Sequence, residues 1–325
     1  MPGFTTHYIF GMKAYNDMPF TPLKHTIAKY RWLYQLGLQG PDMFFYNIPI
    51  LRHRDYRNVG SYMHEHKVNA FFECCLRRIG TIRSRQQQEE AISYLAGFIN
   101  HYIADSICHP YVYGRIGYPV DAPTSMYHGM HAHLENELDA ILLWKYKKKK
   151  PSEFNQTATI CLNGQEIQFI SHFLASCINE TYYPITYRNN FQVTPAMVHR
   201  SIWALRFGCR TLSDKNGKKK FGIAQVESIF VNHPVASAKM VTDSVTDYRS
   251  SCNLNHEAWG NPWDPTRVST ASFVDLFHET LDKCSRVYAL LNSAVTDNMP
   301  LDKQDLSPLL AELGNESYHS GLPVD

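Results

Sequence analysis

Charge bias is almost absent from this chain. Thirty-two Lys and Arg against thirty Asp and Glu leave a formal charge of +2 over 325 residues, too little for the broad positive field of a non-specific nucleic-acid binder. No stable nucleic-acid partner is expected. No window reaches the ~18 uninterrupted apolar residues of a membrane span, so integral membrane association is not expected either. The opening MPGFTTHYIFGMKAYNDMPF lacks the basic start, apolar stretch and small-residue cleavage site of a secretory signal, which makes the cytoplasm the expected compartment. There is no C-x-x-C pair, and eight cysteines (74, 75, 108, 161, 177, 209, 252 and 284) are too sparse for a disulfide scaffold. They are expected to be reduced, buried, small apolar side chains. Repeats of roughly 20 to 50 residues are missing as well. With 44% hydrophobic and 19% charged residues, the chain has ample material for an ordered core.

Strand signals are equally scarce. Thr159 to Ile170 (TICLNGQEIQFI) alternates around Asn163-Gly164, which predicts a small β-hairpin. Everything else reads helical. Over Thr21–Leu38 the apolar residues Leu23, Ile27, Tyr30, Leu33, Tyr34 and Leu38 recur at threes and fours. Similar stripes predict helices over Tyr62–Ile82, over Gln86 to about Tyr113 with an interruption at Pro110, and over Ser125–Tyr146. Further helical patterns cover 171–182, 195–212, 221–230 and 270–294, while 253–265 reads as a loop and the tail after Asn298 as loosely ordered. The expectation is an all-α, multi-helix bundle with a hairpin insertion near 159–170, organised as a metal-site helical region over 1–150 and a C-terminal helical region over 151–325 packed on it.

Histidine is what the chain has in excess. There are sixteen, and ten of them (7, 25, 53, 64, 66, 101, 109, 128, 131 and 133) lie in the first 133 residues. His101, Asp105 and His109 are spaced by four, so two imidazoles and a carboxylate project from one helix face in consecutive turns. The next helix repeats the device with His131, Glu135 and Asp139, while His133 and Glu137 form a second set two residues on. A single histidine on a helix is ordinarily a hydrogen-bonded core or surface residue, but an amphipathic helix has no need of this recurrence. Two such helices facing one another could enclose a polynuclear site. Imidazole and carboxylate donors without thiolate suit Zn, Fe or Mn. Upstream, His7, Asp42, His64 and His66 could supply donors from loops or helix ends.

The strings HYIAD at 101–105 and HAHLENELD at 131–139 resemble the zinc-dependent phospholipase C family, with its H-Y-x-x-D helix and later H-x-x-x-E-N-x-x-D helix. The resemblance spans about residues 1–145 and implies zinc, two or three ions, with other divalent metals as alternatives. It implies His7, Asp42, His64, His101, Asp105, His131 and Glu135 as ligands, with Asp105 the carboxylate that bridges two metals; Asn136 and Asp139 keep His131 and Glu135 in register with the family. Asp42 is implied either as a ligand or as the acceptor of a proton from the attacking water, making Asp42 and Asp105 the catalytic candidates. The family carries a second histidine ten residues after the first, but that position here is Tyr111; His109 is the substitute and His128 the reserve. The family's secreted members use a processed N-terminal Trp as a ligand, whereas this chain begins Met-Pro.

The implied activity is hydrolysis of a small phosphodiester or phospholipid headgroup by metal-activated water. Tyr8, Phe44, Phe45, Tyr46, Tyr102 and Tyr111 could floor the site or simply be core. A nuclease or nucleotide phosphatase with a similar helical site is the alternative enzyme. A metal-stabilised helical protein that binds a partner, with Trp259 and Trp263 as surface anchors, is the non-enzymatic one.

Overall fold

The structure, a computed structural model, describes residues 3–46, 59–121, 125–182, 192–212, 214, 217–230, 237–243, 245 and 247–325. Met1, Pro2 and His53 lie outside the described residues. The architecture is all-α: α1 (Phe4–Asp17), α2 (Pro22–Lys29), α3 (Arg31–Gly37), a 3-10 segment (Gly40–Tyr46), α4 (Val59–Glu65), α5 (Val68–Thr81), α6 (Arg85–Arg115), α7 (Ser125–Lys147), α8 (Gly164–Thr181), α9 (Pro195–Leu212), α10 (Lys218–Phe230), α11 (Phe273–Thr296) and α12 (Ser307–Leu313).

Four expectations are corrected. The stripe over 21–38 is two helices, because Tyr30 leaves helical geometry at φ −115°, ψ 42°. The Tyr62–Ile82 stripe also divides, at Lys67, which adopts a left-handed conformation with φ 50°. Pro110 does not interrupt α6, which runs through it to Arg115. The hairpin at 159–170 is absent. Asn163 caps α8 instead: its side chain accepts from the Glu166 N–H at 2.9 Å while the Glu166 carboxylate accepts from the Asn163 N–H at 2.8 Å. This reciprocal pair satisfies donors that a hairpin turn would leave to water. The small sheet lies a hundred residues later, in the stretch read as loop: β1 (Trp259–Asn261) pairs antiparallel with β2 (Asp264–Ser269), with a bulge at Gly260/Asn261.

Helix α1 was not foreseen from periodicity. It is buried on most sides, from Phe4 through Ala14, so its apolar residues form no single stripe. Its N-terminus is capped from α7: Asp139 accepts from the Thr6 N–H at 2.7 Å and the Thr5 N–H at 3.1 Å, which fixes where His7 sits.

Helix α6 is the axis of the fold. One core cluster gathers Leu33, Phe72, Phe98, Leu174 and Val287 around its first half; a second joins Phe10, Cys108, Leu138, Leu142 and Phe277 around its second half. Residues from before and after position 150 share both. Trp259 is buried and donates to the Ala271 carbonyl at 2.9 Å, so it is a packed residue and no surface anchor. Phe44, Tyr102 and Tyr111 are core. Six cysteines are buried, but Cys74 is partly exposed and Cys161 exposed. The tail is not loose: it contains α12 and the fully buried Tyr318. No described helix is long and apolar enough to cross a membrane.

Candidate metal centre

Three of the site histidines are oriented by backbone carbonyls. His64, in the last turn of α4, has Nδ1 2.6 Å from the Gly60 oxygen; His101 has Nδ1 3.1 Å from the Leu38 oxygen; His109 has Nδ1 2.7 Å from the Tyr318 oxygen. A carbonyl only accepts, so in all three rings the proton sits on Nδ1 and Nε2 presents a lone pair. The chain turns tightly to let His101 in. Gly40 has φ +46°, and a Cβ there would come within 2.3 Å of the His101 ring.

The lone pairs converge. His64 Nε2 lies 3.3 Å from Asp42 Oδ1 and 3.7 Å from Asp105 Oδ2, while His101 Nε2 lies 3.7 Å from Asp42 Oδ1 and 3.2 Å from Asp105 Oδ2. Zinc bonds of about 2.1 Å in a tetrahedron separate ligand atoms by about 3.4 Å, so these four edges have the spacing of a tetrahedral donor set. The other oxygen of Asp105, Oδ1, lies 3.1 Å from His7 Nε2. A second group forms one turn on: His131 Nε2 is 2.6 Å and His109 Nε2 is 3.6 Å from Glu135 Oε1. Asp42, His64, His101 and Asp105 thus make one buried donor group and His109, His131 and Glu135 another.

Burial makes these groups costly without a cation. His7, His64, His101, Asp105 and His109 are all fully buried, and the Nε2 atoms of these four histidines and both oxygens of Asp105 have no hydrogen-bond partner. Lone pairs aimed at one another in a dry interior repel and are desolvated; a divalent ion between them removes both penalties. Three of the protonation states suit this. Burial lowers His7 to about 4, with His101 adding to the effect, and burial lowers His131 to about 4 despite Glu135. Burial would raise the Asp105 carboxyl, but the His109, His101 and His7 imidazoles around it outweigh that and hold it well below its ordinary range. Burial would lower His101, but Asp105 and Asp42 outweigh it and raise its pKa, so an ion there displaces a proton, whereas neutral His7 and His131 and ionised Asp105 are already in the state a metal requires of its ligands. The residues therefore fit zinc.

The family comparison decides between readings of this geometry. Residues 6–185, more than half of the chain, match the family described as zinc dependent phospholipase C. The chain belongs to that family. No curated protein and no solved structure matches. Family membership and the buried Asp/His cluster together make this a zinc-dependent hydrolase.

Within this phospholipase C family member, the seven residues implied by resemblance and the substitute His109 lie in the two donor groups and at His7 beside them. His133 is half exposed at its side chain, and Glu137 is bound by the Ser251 hydroxyl, so that pair faces away from the donors. His128 is exposed, leaving His109 as the histidine brought to His131 and Glu135. Asn136 donates to the Ala238 carbonyl at 2.6 Å, and Asp139 holds α1.

Sequence reasoning missed His319. Its ring stacks 4.9 Å from His64 and 5.7 Å from His109, and burial, with His64 and His109 alongside, pushes its pKa well below the ordinary histidine range. It stands alone in a stretch without periodicity, which left no signal. Tyr113 and Trp263 were also missed or misassigned. Tyr113 lies 4.5 Å from His131 and 4.9 Å from Trp263, with Tyr118 4.7 Å from Tyr113. They make a partly exposed aromatic wall beside the second donor group.

Proposed function

We propose that the protein is a phospholipase C-like phosphodiesterase, with one zinc held by Asp42, His64, His101 and Asp105, and a second by His109, His131 and Glu135. His7 and Asp105 Oδ1 offer two donors toward a third ion. The observation that carries the reading is Asp105, whose two fully buried oxygens face different histidines. Zinc bound there supplies activation of water at neutral pH and stabilisation of charge on the phosphoryl oxygens.

The chain's own residues do the rest. Asp42 contributes Oδ1 to the donor group, and its carboxylate is the acceptor for the proton of the attacking water. The carbonyls of Gly60, Leu38 and Tyr318 at Nδ1 hold His64, His101 and His109 in orientation, so these three rings need not reorganise during the reaction. His7, His101 and Asp105 are closed off, whereas His131 and Glu135 each keep 12% side-chain exposure. Substrate therefore enters from the α7 side. Tyr113, Tyr118 and Trp263 line that entrance and favour a phosphodiester whose other portion is apolar or a quaternary ammonium group. The floor expected from Tyr102 and Tyr111 is replaced by this wall.

Metal analysis of the purified protein, followed by hydrolysis assays on a phosphatidylcholine analogue, bis-p-nitrophenyl phosphate and single-stranded DNA, tests the proposal. Zinc-dependent turnover of the first two is expected. Cleavage of the DNA alone would move the assignment to the nuclease alternative.

A further inference from the structure

Past the end of the family match, the tail is built into the metal centre. Glu316 is joined twice to Tyr102, the neighbour of His101: the Tyr102 hydroxyl donates to Glu316 Oε2 at 2.6 Å and accepts from the Glu316 N–H at 2.9 Å. The Tyr318 N–H donates to the His64 carbonyl at 2.9 Å, and the Tyr318 carbonyl accepts from His109 Nδ1 at 2.7 Å. One peptide segment thus grips a histidine from each donor group. The Tyr318 ring packs 4.8 Å from His64 and 5.9 Å from His101.

His319 completes the grip. Its ring is stacked against both His64 and His109, within 25° of parallel to each (23° and 24°), and its Nδ1 is anchored 3.1 Å from the Tyr113 hydroxyl. Gly321 then turns the chain with φ +61°; a Cβ there would come 2.6 Å from the Ser106 carbonyl, the oxygen whose helical partner is lost because Pro110 has no N–H. The Ser320 carbonyl is held by Asn261 at 2.7 Å, and the Lys67 N–H donates to the Asp325 oxygen at 3.0 Å.

We propose that His319 is a positioning residue of the zinc centre, its ring a spacer that sets the separation of His64 and His109 and so of the two donor groups. The inference rests on the zinc reading above. Physically, a buried imidazole held by one hydrogen bond can still rotate about that bond. A parallel ring on its face removes that freedom, as partners beyond the ligands do in metal sites generally. Binding and docking are then linked: zinc holds the tail down, and the tail holds the zinc ligands in place.

Zinc affinity by chelator competition and the visible spectrum of the cobalt(II)-loaded protein, measured on the full chain, test this with His319→Ala and His319→Phe. His319→Ala is expected to bind zinc about tenfold or more weakly and to alter the cobalt spectrum. His319→Phe keeps the stacked ring and is expected to restore most of the affinity. Unchanged affinity in the Ala variant overturns the inference, and so does a Phe variant as weak as Ala, which would make the nitrogen the essential part. Should the Ala variant not fold, hydrogen exchange of the unmodified chain decides: stripping zinc should reduce protection over residues 318–324, and equal protection with and without zinc overturns the coupling. An unmodified chain that binds no zinc sinks the zinc reading itself; a zinc-binding chain indifferent to His319 sinks only the spacer.

Discussion

Asp105→Asn is the substitution the account constrains most tightly. The side chain keeps its shape, but a charge shared between donors is lost and one oxygen becomes an amide nitrogen with no lone pair to offer. Asp105 Oδ2 is within 3.2 Å of His101 Nε2 and Oδ1 within 3.1 Å of His7 Nε2, so whichever way the amide settles, one side loses its donor. Zinc bound to four ligands carries about 10–16 kcal/mol, or about 2.5–4 kcal/mol per ligand if divided evenly. At about 1.4 kcal/mol per tenfold, the variant should bind zinc about 100- to 1000-fold more weakly. Competition with a chelating dye measures this directly, and near-UV circular dichroism reports whether the fold survives. Glu137→Gln is the control: its carboxylate faces Ser251, and zinc affinity and turnover should be close to those of the unmodified protein. A folded Asp105→Asn protein with unchanged zinc affinity would refute the reasoning, and a Glu137→Gln protein that loses zinc would show that the other face of α7 holds the metal.

Asp139→Ala removes the acceptor for two buried N–H groups at the start of α1. It should cost about 2–3 kcal/mol, a fall of about 3–5 °C in melting temperature for a chain of this size, and should lower zinc content by loosening His7; an unchanged melting temperature contradicts the capping role. Asn163→Ala should cost about 1 kcal/mol through loss of the α8 cap with zinc content intact. In the metal-free protein, His7 and His131 bind protons only near pH 4, whereas the unfolded chain binds them near 6.5. Lowered folded-state values favour the unfolded state as pH falls, so stability present above pH 6.5 is lost toward pH 4, by about 3 kcal/mol per group. Urea midpoints of the zinc-free chain at pH 7 and pH 5 check this; a higher midpoint at pH 5 contradicts it.

The parts of the site that sit on regular helices were legible from spacing alone. His101, Asp105 and His109 share a face because four residues are close to one turn, and His131 with Glu135 follows the same rule. Asp42 and His64 came from the family's order of donors, since neither a 3-10 segment nor a short helix imposes a period. His319 was invisible because its role depends on a tail folding back across some 200 residues to reach α6. The hairpin error at 159–170 has a similar cause: Asn163-Gly164 suits a two-residue turn and a helix cap alike, and the deciding partner was Glu166, three residues on. Helix α1 escaped because burial on most sides erases periodicity. The true hairpin at 259–269 is short, bulged and Pro-containing, with almost no alternation to read.

The central claim is that imidazole and carboxylate lone pairs from α1, the 3-10 segment, α4, α6 and α7 surround zinc. A crystal of the purified protein, measured on both sides of the zinc absorption edge, tests it most directly. Anomalous peaks that vanish below the edge should appear between Asp42, His64, His101 and Asp105, and between His109, His131 and Glu135. Empty density at both positions, in protein that stays folded and active in chelator, would contradict the account.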